Sequence, residues 1–137
     1  MIEYMEIRSE FTDDVYKLYE ENQWNAYLDD KEKIARALDH SLCMIGAFEN
    51  EQLVGFVRCV GDGEYIVYIQ DLIVKPSHFR RGIGRELMNR ISEKYPVVRQ
   101  FVLITDATDE AANNFYRSIG LVNEFKGFPV THYFRKS

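Results

Sequence analysis

Asp71-Leu72-Ile73-Val74-Lys75-Pro76-Ser77-His78-Phe79-Arg80-Arg81-Gly82-Ile83-Gly84-Arg85-Glu86-Leu87-Met88 is the stretch whose reading decides the fold. It opens as the end of a nearly unbroken apolar, β-branched run, Tyr65–Val74, which predicts a central strand covered on both faces. Two polar residues, Gln70 and Asp71, interrupt that run. Pro76 ends the strand, and from Gly82 to Lys94 the residues Ile83, Leu87, Met88 and Ile91 recur at helical spacing. Strand and helix are joined by a basic, glycine-bearing turn. Free N–H groups at a helix start, reinforced by the helix dipole, attract anions. Gly82 and Gly84 have no side chains to hold a phosphate away from that backbone. Arg80, Arg81 and Arg85 add charge and donors. Chemically this is a pyrophosphate cradle. Arg-Gly-x-Gly alone would read equally well as a helix start with solvated arginines; the apolar strand before it and the glycines at the start of the helix favour the cradle.

Outward from this stretch, Phe101–Thr105 is a second apolar strand, so strand, helix and strand form a parallel βαβ unit. A helix from about Asp109 to Ile119 presents Ala112, Phe115, Tyr116 and Ile119, and Gly120 stops it. Strands are expected at Leu121–Phe125 and Val130–Arg135. On the N-terminal side, a strand at Glu3–Arg8 precedes a helix with Thr12 as its cap, Asp13 and Asp14 in its first turn, and an apolar stripe of Val15, Leu18 and Tyr19. A second helix starts near Asp29, with Glu32 three residues on in a capping-box-like arrangement and Ile34, Ala35 and Leu38 on one face. An aromatic connection, Gln23-Trp24-Asn25-Ala26-Tyr27, joins the two. Cys43–Phe48 and Leu53–Val60 flank a hairpin-like turn, Glu49-Asn50-Glu51-Gln52, and Gly61-Asp62-Gly63 makes the next turn. The expected architecture is α/β (mixed α+β): a single domain over residues 1–137, with a central mixed sheet of about six to seven strands and helices on both faces.

Composition narrows the function. At 137 residues with 46% apolar and 28% charged residues, the chain can bury a core of its own. No apolar run approaches the roughly 20 residues that span a bilayer, so no membrane partner is expected. The first residues, Met1-Ile2-Glu3-Tyr4-Met5-Glu6, carry acids where a signal peptide is basic, which points to a cytoplasmic protein. Cys43 and Cys59 read as small core fillers. His40, His78 and His132 share no ligand spacing, and no metal is expected. A net charge of −5 argues against a nucleic-acid partner.

The segment around Val74-Lys75-Pro76 and Arg81-Gly82-Ile83-Gly84 resembles the acetyl-CoA-binding core of GNAT (Gcn5-related) N-acetyltransferases. The later run Ala112-Asn113-Asn114-Phe115-Tyr116-Arg117-Ser118-Ile119-Gly120-Leu121 is similar to that family's Ala-x-x-Leu/Phe-Tyr-x-x-x-Gly-Phe helix. The resemblance implies acetyl-CoA as cosubstrate and transfer of its acetyl group to a primary amine of a small molecule, by direct attack in a ternary complex. It implies that backbone groups of Leu72 and Val74 pair with the pantetheine arm as an added strand would. It also implies that amides from Arg80 through Arg85, including Gly82 and Gly84, hold the pyrophosphate, and that the Val74 amide polarises the thioester carbonyl. Tyr116 is the implied acid beside the leaving sulfur; periodicity alone would make it core. Three positions depart from the pattern: Phe79 replaces an Arg or Gln, Asp109 an amide-bearing residue for which Asn113 is the candidate substitute, and Leu121 a Phe.

Some members carry Glu-Asp where this chain has Gln70-Asp71. Asp71 is therefore a candidate general base, against the alternative of an acid hydrogen-bonded for structure. Strand alternation sends Gln70 and Asp71 to opposite faces. Candidates for the acceptor pocket are Trp24, Tyr27 and Tyr133, with Tyr65, Phe128 and His132 as further aromatic or basic neighbours. The competing reading is an acyl-CoA-binding sensor of the same fold without turnover. The oligomeric state stays open, a homodimer being frequent in the family.

Overall fold

Apolar strands and amphipathic helices alternate along the chain in the order that the periodicity predicts. The computed structural model describes residues 1–136, which fall into two units, Met1–Ile104 and a second beginning at Thr105. The first unit contains β1 (Glu3–Glu6), α1 (Thr12–Glu21), α2 (Lys31–Asp39), β2 (Cys43–Glu49), β3 (Gln52–Gly61), β4 (Ile66–Val74), α3 (Ile83–Lys94) and β5 (Gln100–Leu103). The second contains α4 (Glu110–Ser118), β6 (Glu124–Phe125) and β7 (Phe128–Pro129).

In the first unit the strands lie in sequence order, antiparallel from β1 to β4 and parallel between β4 and β5. The apolar stripe of α1 and α2 (Val15, Leu18, Tyr19, Ile34, Leu38) is buried with Met44, Phe48, Phe56 and Ile73 of the sheet. On α3, Ile83, Leu87, Met88 and Ile91 are buried where that helix packs on β2, β3 and β4. Each such side chain contributes about 1.5–3 kcal/mol. The β2–β3 hairpin closes as expected, with Asn50 (φ 50°) and Glu51 (φ 66°) both left-handed, the geometry that matches strand twist. Asp62 Oδ1 pins the next turn by accepting from the amides of Glu64, Tyr65 and Ile66 at 2.7–3.0 Å.

β4 is covered on both faces, by α3 and by α1, as expected, but it carries an irregularity that strand alternation does not predict. Arg58 faces Asp71, but Cys59 faces Ile69, so Gln70 is an extra residue on β4 with no cross-strand partner. This bulge shifts the alternation by one place. Val67, Ile69, Asp71 and Ile73 are buried while Ile66, Tyr68, Leu72 and Val74 stay half-buried.

Several element ends fall elsewhere than expected. Thr12 does not cap α1; its hydroxyl donates to the Ser9 carbonyl (2.6 Å), because a one-turn 3-10 helix at Ser9–Phe11 already occupies the approach. The cap of α2 is Asp30, not Asp29, its carboxylate accepting from the Lys33 amide at 3.1 Å. The expected Leu121–Phe125 strand keeps only Glu124–Phe125, and Val130–Arg135 forms no strand. The reason is Lys126-Gly127: both residues are left-handed (φ 51° and 82°), so the chain reverses there in a tight hairpin. Five strands in one sheet and two short ones in another replace the six or seven expected in a single sheet.

Candidate active site

β5 pairs with β4 only from Ile66 to Ile69, against Gln100–Leu103. From Gln70 to Val74 that edge of β4 pairs with no strand among the described residues, while β3 covers the other edge. The Lys75 amide turns back to the Val54 carbonyl at 2.7 Å. By strand alternation, the N–H groups of Leu72 and Val74 then face the open edge. Asn22 at the end of α1 donates to the Val74 carbonyl there (3.2 Å). The open edge is therefore short and one-sided.

β4 leads through a single 3-10 turn, Pro76–His78, into α3. Two left-handed residues shape that connection, Arg80 (φ 64°) and Gly82 (φ 79°), and no side chain caps the first turn of α3. A Cβ built on Gly82 would meet nothing within 4 Å, so the helix start is approached through open space. Arg80, Arg81 and Arg85 are exposed around it. Arg81 does not hang loose: Nη2 donates to Glu49 Oε2 at 2.8 Å. The other Glu49 oxygen lies 2.9 Å from His78 Nε2, and His78 Nδ1 lies 2.8 Å from the Ser77 hydroxyl. Glu49, at the end of β2, thus ties down both residues that flank the turn.

The hydrogen bonds from Arg81 and His78 lower the Glu49 carboxyl to about 2. The folded pKa lies below the unfolded value, so the native state is favoured above pH ~4.3, and that advantage is lost as pH falls toward 2. Glu49→Gln should therefore flatten the acid limb of the stability profile between about pH 4.3 and 2. Urea midpoints measured across that range check it; an unchanged limb would mean the pair is not formed in solution.

Asp71 sits at the centre of a buried network. Its side chain is 1% exposed, and Arg58 Nε donates to Oδ2 at 2.8 Å. Tyr19 donates its hydroxyl to the same oxygen (2.8 Å), and Tyr27 donates to Oδ1 (2.7 Å). Burial first, then the charge of Asp71, pushes the Tyr19 and Tyr27 hydroxyls above the usual phenol range, so both stay protonated. Burial works to lower the Arg58 guanidinium, but the charge and hydrogen bond of Asp71 outweigh it. Arg58 also reaches the Ser41 hydroxyl at 3.3 Å.

Gln70 and Asp71 do not point to opposite faces. The bulge brings both to one hydroxyl, Gln70 Nε2 lying 3.2 Å from Tyr27 Oη on its exposed side. Tyr27 stacks on Tyr19 with ring centroids 4.1 Å apart at 8°, and Trp24 stacks on Tyr19 at 6.0 Å. These contacts follow from the end of α1, where left-handed Gln23 lets the Trp24 amide return to the Tyr19 carbonyl (2.9 Å).

In the second unit, α4 carries Tyr116, half-buried and edge-on to Phe115 at 5.3 Å. Burial, and secondarily Asp109, raises its hydroxyl above the usual phenol range. Asp109 caps α4 by accepting from the Ala112 amide at 2.9 Å. Asn113 spends its side-chain amide on the carbonyls of Asp106 and Asp109 at 2.9 and 2.7 Å. Both therefore fasten the start of their own helix. Tyr133 is 92% exposed and lies outside any strand, and His132 meets the edge of Phe134.

Sequence reading passed over Arg58, Tyr19 and Glu49 as site residues. For Arg58 there was a signal, an arginine inside the apolar run Leu53–Val60, one strand before the run that carries an acid. Tyr19 and Glu49 carried none, since a stripe residue and a turn residue look alike whatever they bind.

The pattern that defines the Acetyltransferase (GNAT) family matches residues 4–121, and the chain belongs to that family. It is 33% identical to an uncharacterized N-acetyltransferase, ycf52-like, of Prochlorococcus marinus, over 69% of this chain and 54% of that protein. It is 30% identical to the chloroplastic GCN5-related N-acetyltransferase 1 of Arabidopsis thaliana, over 78% of this chain and 55% of that protein. The chain thus spans about half the length of the curated relatives it matches. Among solved structures, the GNAT family acetyltransferase SP0256 of Streptococcus pneumoniae aligns over the whole of both chains, with 33% identity and a TM-score of 0.80. The aminoglycoside enzyme AAC(6')-Iy, in complex with a bisubstrate analogue, aligns over 100% of this chain and 99% of its own at a TM-score of 0.72; at 18% identity that likeness concerns the fold.

Proposed function

We propose that this protein is an acetyl-CoA-dependent N-acetyltransferase that acts on a primary amine of a small molecule. The observation that carries the reading is the end of β4–β5 pairing at Ile69, on the strand that leads into the uncapped, glycine-bearing start of α3. The residues present fit acetyl-CoA: an open strand edge at Leu72 and Val74 suits an amide-rich arm, and open space at Gly82 suits a pyrophosphate. When bound, acetyl-CoA supplies an acetyl group activated as a thioester.

The chain's own part is largely positioning. Amides from Arg80 to Arg85 hold the phosphates, and the arginines add charge. The Val74 N–H donates to the acyl oxygen as charge builds there. The family resemblance gives Tyr116 the role of acid to the departing sulfur, and its raised hydroxyl keeps the proton that role needs at neutral pH. Asp71 already accepts from three donors, so in this reading it orients Tyr27 and Tyr19 instead of taking a proton directly. Water removes the proton from an ammonium whose pKa lies near 10. A small-molecule acceptor draws support from structural neighbours of the same fold described as aminoglycoside acetyltransferases, one in complex with sisomicin.

Calorimetry with acetyl-CoA, followed by thiol release against a panel of amines, tests the proposal. Binding with release supports it, binding without release favours a sensor, and no binding removes the cofactor assignment. Tyr116→Phe should lower kcat roughly 10²-fold with acetyl-CoA affinity unchanged. An unaltered rate would leave Tyr116 a packing residue.

A further inference from the structure

We infer that Gln70 is an acceptor-orienting residue whose carboxamide is locked with its oxygen presented to the amine, by hydrogen bonds donated from Gln70 to Tyr27 and from Tyr27 to Asp71, the anion that Arg58 holds. The inference rests on the transferase reading for the amine and on geometry alone for the lock. Asp71 is the anionic half of a buried pair with Arg58, so it has only acceptors to offer. Tyr27 lies 2.7 Å from Asp71 Oδ1 and must spend its single hydroxyl proton there. The Tyr27 oxygen can then only accept, and Gln70, 3.2 Å away, must turn its NH2 toward it. The Gln70 oxygen is left pointing away from Tyr27, with no protein donor among the described residues.

Its place gives that oxygen a use. Gln70 is the first residue of β4 beyond the pairing with β5, it is exposed, and it is the extra residue of the bulge. Bulges re-aim side chains where a strand stops pairing. A carboxamide oxygen held where pairing with β5 ends accepts an N–H from an incoming amine, charged or neutral, and once the amine has lost its extra proton the same bond fixes the direction of its lone pair. Because an amide takes no proton, Gln70 orients and does not deprotonate. The residues behind it, Tyr27, Asp71, Arg58 and Tyr19, are positioning residues, and the stacked Tyr19–Tyr27 rings stiffen the chain between them.

Two measurements on the full chain decide it. In 15N-labelled protein, the Gln70 side-chain amide signals are identified by their disappearance in Gln70→Met. Tyr27→Phe keeps the ring stack and removes only the hydroxyl, and it should shift those signals and speed their exchange with water; signals indifferent to Tyr27→Phe would overturn the lock. For the amine that gives the fastest thiol release, Gln70→Met should lower kcat/KM roughly tenfold, the loss of one hydrogen bond, while KM for acetyl-CoA is unchanged. Equal kcat/KM for wild type and Gln70→Met would overturn the orienting role. Failure of the transferase reading looks different: wild type would release no thiol with any amine, yet the amide signals would still respond to Tyr27→Phe.

Discussion

Replacing Gly84 with Glu is expected to abolish acetyl-CoA binding while leaving the fold at least as stable as before. Gly84 is the second residue of α3, at the turn whose N–H groups have no capping side chain. Glycine inside a helix costs roughly 0.5–1 kcal/mol relative to a good helix former such as Glu. A negative charge in the first helical turn adds about 0.3–1 kcal/mol of favourable dipole interaction. Both effects raise stability. The same carboxylate occupies the space and the positive potential that a phosphate needs, so the ligand loses its site to a residue that suits the helix. Calorimetry against acetyl-CoA and a thermal melt together separate the two effects. Unchanged affinity would refute the phosphate cradle; a collapsed melt would mean that Gly84 is needed for packing.

Asp71→Asn should cost roughly 3–5 kcal/mol of stability, because it leaves Arg58 charged and buried without its anion. Arg58 and Asp71 side chains are 7% and 1% exposed, so water cannot replace the lost partner. The hydroxyls of Tyr19 and Tyr27 also lose part of a shared acceptor. A pair of apolar replacements, Arg58→Met with Asp71→Leu, should cost less than Asp71→Asn, since no uncompensated charge remains. Urea unfolding of the three proteins measures this directly. If Asp71→Asn lost less than 1 kcal/mol, the pair would be solvated in solution and Asp71 would return as a candidate base. Gly84 and Asp71 lie on different stretches of the same strand-turn-helix segment, so the proposed cofactor and acceptor roles can be tested independently.

Much of the fold was legible from short-range pattern. The stripe Ile83, Leu87, Met88 and Ile91 defined α3 because helical packing depends on a period the sequence displays openly. The stop at Pro76, the left-handed turn at Asn50-Glu51 and the cap at Asp109 follow from steric and hydrogen-bonding rules that act within a few residues. The same rules, applied at Lys126-Gly127, would have shown why the chain reverses before Val130. The glycine-bearing turn into α3 was legible for a similar reason: the glycines and the helix they open are neighbours in sequence.

The network around Asp71 was not legible, because its contacts are set at long range. The extra residue at Gln70 exists only in the register between β3 and β4, which no property of β4 alone records. That bulge overturned the strand alternation and put Gln70 and Asp71 on one tyrosine hydroxyl. Tyr19 is 52 residues from Asp71, and Arg58 is 13 residues from it on a neighbouring strand. By itself the sequence determined the order of elements, their amphipathic faces and a glycine-bearing, uncapped helix start, since each is a property of consecutive residues. Only the tertiary structure decided which polar side chains meet in the core and how far β4 stays paired, since burial makes an isolated charge so costly that distant partners must converge.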